Sequence, residues 1–345
     1  MSFKVRIAQA DRTIEVPTGA TILATALDAG IAYPFGCQSG NCGACKSHLV
    51  KGEVALDGYS EFALSDEEKA RGLILACRAV PWDDCEVAWL EEDDLIVHPR
   101  RLLDCKVVGI DEATHDIKRV RLAIVSGGPF DFSAGQFASV TFDGLPPRDY
   151  SMANVPGDPV LEFHVRRTAG GLTSAYVAET LKIGDPVRVE GPFGTSYLRE
   201  QHRGPIIAVA GGSGMAPIKS VVERALQKAL PQHIYFYFGV RSHRDLYLHD
   251  HFAALAQSHP NLHFTPVLSE GNGEALRHGM VHEAVAADFD EFDGCKAYLA
   301  GPPVMVEAAT RLFEQRGMRR IDIHADAFYT AAEMAQAGKK TGAEL

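Results

Sequence analysis

Three cysteines within nine residues, Cys37, Cys42 and Cys45, are followed after thirty-one intervening residues by a fourth, Cys77. Nothing else in the chain restricts its fold as much. The run C-x4-C-x2-C with one later cysteine is the spacing that holds a plant-type [2Fe–2S] cluster. Two irons take two thiolates each, so three ligands must share one tight loop and the fourth must be delivered to it from a distant position. Gly36, Gly40 and Gly43 punctuate the loop. Glycine permits positive φ and close backbone approach, which lets amide N–H groups point at sulfur. A cluster of this kind carries one electron at a time.

Zinc and disulfides are the competing uses of such thiols. Structural zinc sites usually draw on two short ligand pairs, and three cysteines on one loop with a fourth standing alone suit that poorly. The chain has seven cysteines, an odd number; Met1 to Val16 is polar and mixed in charge with no apolar core segment, so no export signal is expected, and no apolar stretch suits a membrane span. The expectation is a reducing, cytoplasmic setting, where thiols stay free or bind metal. Cys85, Cys105 and Cys295 fall outside the pattern and read as packing residues.

A length of 345 residues suggests two or three domains, and 46% apolar residues suit a globular protein. The net charge of −11 argues against nucleic-acid binding. Most of it lies early: residues 1–100 hold sixteen Asp/Glu and nine Lys/Arg, a net of −7. Its densest run, Glu91-Glu92-Asp93-Asp94, reads as a solvated linker or as a face steering a basic partner. Residues 331–345 form a small-residue tail expected to fray.

Three segments emerge. In residues 1–95, Phe3 to Ile7 and Arg12 to Val16 alternate like strands of a hairpin around Asp11. Thr21 is placed to cap a helix over Ile22 to Leu27, Ser65 and Glu68 form a capping-box pair, and Cys77 ends an apolar stretch. In residues 100–202, short strand-like runs separated by Gly/Pro/Asp clusters indicate an antiparallel barrel. Two places there look chemical. Arg148-Asp-Tyr-Ser151 supplies a cation for phosphates, a flat ring partner and a hydroxyl donor, as a flavin dinucleotide would need; alone it would also serve an exposed strand end. Gly170-Gly-Leu-Thr-Ser174 opens a helical stretch whose free N–H groups suit a phosphate, or simply form a turn.

In residues 203–330, Ile206 to Ala210 reads as a buried strand, Gly211-Gly-Ser-Gly-Met-Ala-Pro217 as a glycine turn, and Ile218 to Leu230 as a helix. Pro217 stands where G-x-G-x-x-G requires glycine, and the next strand, Ile234 to Val240, ends in Arg241-Ser-His-Arg244 rather than an acid. The ordinary dinucleotide fingerprint therefore fails, and a related nucleotide fold is expected. Ala297 to Ala300 forms a further strand closed by Gly301-Pro-Pro303.

In order, Cys37/Cys42/Cys45/Cys77, Arg148-Asp-Tyr-Ser151, Gly211 to Pro217 and Ala300-Gly-Pro-Pro303 resemble the reductases of bacterial Rieske-type aromatic-ring dioxygenases, most closely those of naphthalene dioxygenase systems. The likeness extends through Gly194 to Arg199, Tyr237 to Ser242 and Asp326-Ala-Phe-Tyr329. It implies a multi-domain chain: a β-grasp [2Fe–2S] ferredoxin domain, an antiparallel FAD-binding β-barrel, and a parallel-sheet α/β domain for NADH, with NADPH permitted by Arg241 and Arg244. It also implies roles. Arg148 would hold the FAD pyrophosphate, Tyr150 would pack on the isoalloxazine and Ser151 would hydrogen-bond near N5. His164, Val165 and Arg166 would border the flavin ribityl and phosphates, and Gly171, Leu172, Thr173 and Ser174 would form the pyrophosphate turn. Gly212, Ser213, Gly214 and Gly301 would approach the nicotinamide dinucleotide, and Phe328 would cover the flavin face. Ser151 and Phe328 are the candidate catalytic residues. One departure stands out: relatives often carry Cys where this chain has Ala300.

The resemblance implies that electrons pass in pairs from NAD(P)H to FAD, then singly to the cluster, and on to a terminal oxygenase or a separate ferredoxin. A plant-type cluster near about −400 mV can reduce a Rieske centre at about −150 mV or above. Reductases of diiron phenol or toluene monooxygenases and of deoxysugar dehydrases share the layout, and a non-enzymatic electron-transfer module is the reading from another class. The aromatic substrate is not written in this chain, because a reductase never touches it.

Overall fold

The computed structural model describes residues 1–90, 96–270 and 276–329. The acidic run Glu91 to Asp94 and the tail after Thr330 lie outside the described residues. Two compact units are built from Met1–Val97, together with Tyr329, and from His98–Phe328.

The first unit contains β1 (Ser2–Ile7), β2 (Arg12–Pro17), α1 (Ile22–Asp28), β3 (Lys46–Lys51), β4 (Val54–Leu56), α2 (Asp66–Ala70), β5 (Leu73–Leu75), β6 (Ala79–Pro81) and β7 (Cys85–Trp89). Its main sheet runs β2-β1-β7-β3-β5; β1 and β7 are parallel and the other neighbours antiparallel. Alternation decides what β1 buries: Val5 and Ile7 are fully enclosed, and Lys4 and Arg6 face solvent. Thr21 caps α1 by accepting from the Ala24 amide at 3.3 Å, and the helix buries Ile22, Leu23 and Ala26. Ser65 and Glu68 form the capping box of α2, with bonds of 3.2 and 2.9 Å. No helix or strand is present between α1 and β3, which leaves that segment to the cysteine loop.

The second unit begins with β8 (Arg101–Glu112), β9 (Ile117–Ser126), β10 (Phe137–Phe142), β11 (Arg148–Ser151), β12 (Val160–Arg166), α3 (Leu172–Glu179) and β13 (Pro186–Phe193). These strands pair antiparallel in the order β11-β10-β13-β8-β9-β12. A bridge between Met152 and Phe163 links the two edges, so the sheet curls into a nearly closed barrel. The chain continues through β14 (Ile206–Gly211), α4 (Met215–Gln227), β15 (Ile234–Val240), α5 (His249–Ser258), β16 (Leu262–Leu268), β17 (Arg277–His278), α6 (Val281–Asp288), β18 (Lys296–Gly301), α7 (Pro303–Gln315) and β19 (Ile323–Ala327). These strands form an all-parallel sheet, β17-β16-β15-β14-β18-β19. Strand order reverses between β14 and β18, and open α/β sheets bind ligands at such a switch point, beyond the strand carboxyl ends.

Two details differ from the sequence reading. Helix α4 starts at Met215, three residues before Ile218, after a 3-10 turn over Gly212–Gly214. Pro217 thus occupies the third helical position, still in the first turn, where its missing N–H leaves no bond unmade. The barrel and the parallel sheet also share one core: Ile117, Ala134 and Leu198 of the barrel segment pack with Ile206, Ala208 and Val222.

Candidate cofactor sites

The cysteine loop is shaped by backbone rather than by side chains. Gly40 and Gly43 take φ of +80° and +75°. A Cβ on Gly36 would lie 3.0 Å from the Cys42 sulfur, and one on Gly43 would lie 3.2 Å from the Ala63 carbonyl. Amides aim at sulfur throughout. Ser39 and Asn41 donate to Cys37 Sγ at 3.4 and 3.3 Å, Cys37 to Cys42 Sγ at 3.3 Å, and Cys77 to Cys45 Sγ at 3.4 Å.

All four thiols are free and pair two and two, Cys37 with Cys42 and Cys45 with Cys77. The hydrogen bond from Cys42 brings the Cys37 thiol down to about 5, whereas contact with the partner sulfur and burial push Cys42 and Cys45 up. This donor set fits a two-iron cluster. It does not fit one zinc ion. Among the described residues the one group gathering three ligand atoms within 4.8 Å is His115, Asp116 and Asp245, and the carboxylates of that group already pair with Arg166 at 2.8 Å and Arg241 at 3.9 Å.

In the second unit the candidate residues fall into three groups. The first lies where the end of β11 meets β18 and β19. Ser151, buried, donates from Oγ to Asp326 Oδ2 at 3.1 Å. Phe328 follows on the same strand end, and its amide bonds the Gly301 carbonyl at 2.9 Å. Tyr150 is half-buried beside them in sequence, its phenol pushed up to about 12 by burial. Arg148 is exposed at the start of β11.

The second group opens α3, which has no side-chain N-cap. Gly171 sits where a Cβ would lie 2.6 Å from Ser174 Oγ. Ser174 accepts from the Thr168 amide at 3.1 Å, Thr173 is buried, and Leu172 is 71% exposed. The turn presents backbone N–H groups that fit a phosphate.

The third group is the glycine turn and its supports. Gly212 takes φ +53°, and a Cβ there would lie 3.1 Å from Arg166 Nη1. Gly301, at φ +143°, backs onto Gly211, whose carbonyl lies 2.7 Å from the position of an added Cβ. Ser213 lies in the 3-10 turn between Gly212 and the buried Gly214. Arg241 directly follows β15, half-exposed and 3.9 Å from Asp245.

His164 and Val165 turn their side chains elsewhere. Val165 lies in the barrel core. The His164 ring is enclosed between Tyr247 Oη (2.9 Å from Nδ1) and Glu162 Oε1 (2.8 Å from Nε2). Arg119 adds a fork to both Glu162 oxygens at 3.2 Å. Burial alone would raise the Glu162 carboxyl; the His164 hydrogen bond, the Lys219 charge and Arg119 hold it well below the usual range. An ionised Glu162 makes His164 Nε2 the donor, and Nδ1 faces the Tyr247 hydroxyl, which has one proton for Nδ1 and the Gly212 carbonyl together. Burial lowers the imidazole pKa, and the Glu162 hydrogen bond and charge oppose that shift. Tyr247 also lies 3.3 Å from the Gly212 carbonyl, tying barrel strand β12 to the glycine turn.

Sequence reasoning gave no role to Asp326, Glu162, Arg119 or Tyr247. Asp326 stood in a run noted for its resemblance, but its partner is 175 residues away. Nothing local could reveal the others.

This architecture is that of an iron–sulfur flavoprotein reductase. The 2Fe-2S iron-sulfur cluster binding domain matches residues 5–81, the oxidoreductase FAD-binding domain residues 104–197 and the oxidoreductase NAD-binding domain residues 208–311. Among curated proteins, the ferredoxin–NAD(P)+ reductase component of the naphthalene 1,2-dioxygenase/salicylate 5-hydroxylase systems of Ralstonia sp is 39% identical over 92% of this chain and 95% of that protein. The corresponding component of the Pseudomonas putida naphthalene 1,2-dioxygenase system is 37% identical over 92% and 96%. The phenol 2-monooxygenase reductase component of Pseudomonas sp. (strain CF600) is 36% identical over 96% of each. Of solved structures, the Amycolatopsis cytochrome P450 reductase GcoB superposes with a TM-score of 0.78 at 36% identity, covering 95% of this chain and 99% of that one. The chain belongs to the family of ferredoxin–NAD(P)+ reductase components of oxygenase systems.

Proposed function

We propose that this protein takes electron pairs from NAD(P)H and passes them singly to the oxygenase, or to an intermediate ferredoxin, of an aromatic-ring-hydroxylating dioxygenase. The reading is carried by four free cysteines whose sulfurs are met by backbone amides, joined in one chain to a flavin-type barrel and a nucleotide-type sheet. When bound, FAD would supply the conversion of an electron pair into single electrons, and the cluster would supply one-electron storage.

The chain's own residues hold those groups. Cys37 and Cys42 would ligate one iron, and Cys45 and Cys77 the other. Arg148 and the α3 turn at Gly171 to Ser174 would neutralise and seat the flavin phosphates, and Tyr150 would offer the flat partner. Ser151, whose hydroxyl is held by Asp326, would turn that hydroxyl to the flavin edge when the cofactor is bound, and Phe328 would cover the ring face. Val165 and His164 would contribute backbone, since their side chains are engaged elsewhere. Arg166, Gly212, Ser213, Gly214 and Gly301 would receive the dinucleotide, and Arg241 would meet its ribose end.

Anaerobic titration with NADH tests the reading. Bleaching of the flavin band and the iron–sulfur bands together is expected; flavin bleaching with unchanged iron–sulfur bands would sink it. The 36% identity to a phenol 2-monooxygenase reductase supports a second reading, service to a diiron hydroxylase. NADH-driven turnover with purified oxygenase components separates the two, because a complementary docking face speeds encounter with the matching component.

A further inference from the structure

Arg78 directly follows the ligand position Cys77, yet its side chain runs back across the cysteine loop. Its Nε donates to the Asp57 carbonyl at 2.7 Å. The guanidinium lies over Gly58, at φ +66°, where an added Cβ would sit 2.7 Å from Nη2. The aliphatic stem lies on Gly40, at φ +80°, where an added Cβ would sit 2.9 Å from both Arg78 Cγ and the Gly58 carbonyl. Gly40 is the residue between Ser39 and Asn41, the two amides that donate to Cys37 Sγ. Its carbonyl is in turn bonded by the Ser60 amide at 3.0 Å.

We propose that Arg78 is a positioning residue that sets the reduction potential of the cluster, by wedging Gly40 so that Ser39 and Asn41 keep their amides on the Cys37 sulfur. Potentials of such clusters depend on net charge, on solvent access and on hydrogen bonds to sulfur. Groups behind the ligands fix those hydrogen bonds. Amide donors stabilise the more negative, reduced state, so loosening them lowers the potential. Two routes are open to an arginine here, its charge and its shape. Lysine keeps the charge but lacks the planar fork and the Nε–H that meets Asp57. The inference rests on the proposed role of the four cysteines.

The test is an EPR-monitored, dye-mediated potential titration of the wild type, Arg78→Lys, Arg78→Gln and Gly58→Ala, with iron, sulfide and flavin counted in each. Gly58→Ala keeps the arginine and displaces its guanidinium, so it carries the test if an Arg78 variant fails to load. Expected is a negative shift in all three variants, about tenfold in the one-electron equilibrium, or about 59 mV, with NADH bleaching of the flavin unchanged. A wild-type potential in Arg78→Lys beside a shifted Arg78→Gln would mean that charge alone acts and would overturn the proposal. Unshifted potentials in all variants would overturn it too. Absence of iron and sulfide from the wild type would instead refute the cysteine assignment itself.

Discussion

The cysteine loop and the seam of the second unit solve the same problem in opposite ways. In the loop, nearly everything that shapes the site is main chain: positive-φ glycines, amides aimed at sulfur, and three of four thiols within nine residues. At the seam, side chains far apart in sequence meet: Ser151 with Asp326, Arg119 with Glu162, His164 with Tyr247. A soft, large metal–sulfur group needs enclosing donors, and backbone supplies these at fixed spacing. A seam between a barrel and a sheet must hold two layers in register, and that needs long-range polar ties.

The largest expected effect breaks one side alone. Cys77→Ser should remove the cluster, abolishing its EPR signal and labile sulfide while leaving the flavin band; a variant retaining both would dissolve the contrast. Next, Glu162→Ala should cost about 3 kcal/mol, because it strands Arg119 and the enclosed His164. Urea unfolding followed by flavin release measures this, and a loss under about 1 kcal/mol would show the tie to be incidental. Ser151→Ala should slow anaerobic flavin reduction about tenfold, the worth of one hydrogen bond. Stopped-flow rates would read it, and an unchanged rate would remove Ser151 from the chemistry.

A smaller effect is pH-dependent. His324 is enclosed on β19, stacked on Tyr298 at 5.2 Å. Burial first, and then the charges of Arg199, Lys296 and His202, lower its pKa well below the ordinary value. Asp322, in the turn just before β19, is bonded to Lys296 at 2.9 Å and Arg319 at 2.7 Å. In the unfolded chain the imidazole would titrate near about 6.5. The folded protein binds fewer protons below that point, so stability is full above it and falls as pH drops toward the folded value. The slope should not exceed about 1.4 kcal/mol per pH unit. Chemical denaturation of His324→Gln between pH 7 and 5 should show a shallower decline than the wild type.

The same contrast explains what could be read from the chain in advance. The cysteine loop, the Thr21 cap and the Ser65–Glu68 box are each written in a few adjacent residues, and the structure contains them; the glycine turn read over Gly211 to Pro217 is there too but gives way to helix at Met215. Strand β19 was not legible, because Ile323 to Ala327 becomes a strand only by pairing with β18. The buried Glu162–His164 pair was hidden for a related reason. Residues two apart on a strand share a face, but whether that face meets water or Tyr247 depends on a segment 83 residues further on. His164 could therefore be assigned to a cofactor border from the resemblance, while the direction of its ring could not.

At the heart of the parallel sheet, Gly214 presses on the main-chain carbonyl of Ala300, where any added Cβ would land. The pressing atom belongs to the peptide, not to the methyl group. Position 214 therefore has room for a hydrogen and nothing larger, and no change of side chain at position 300 can relieve it.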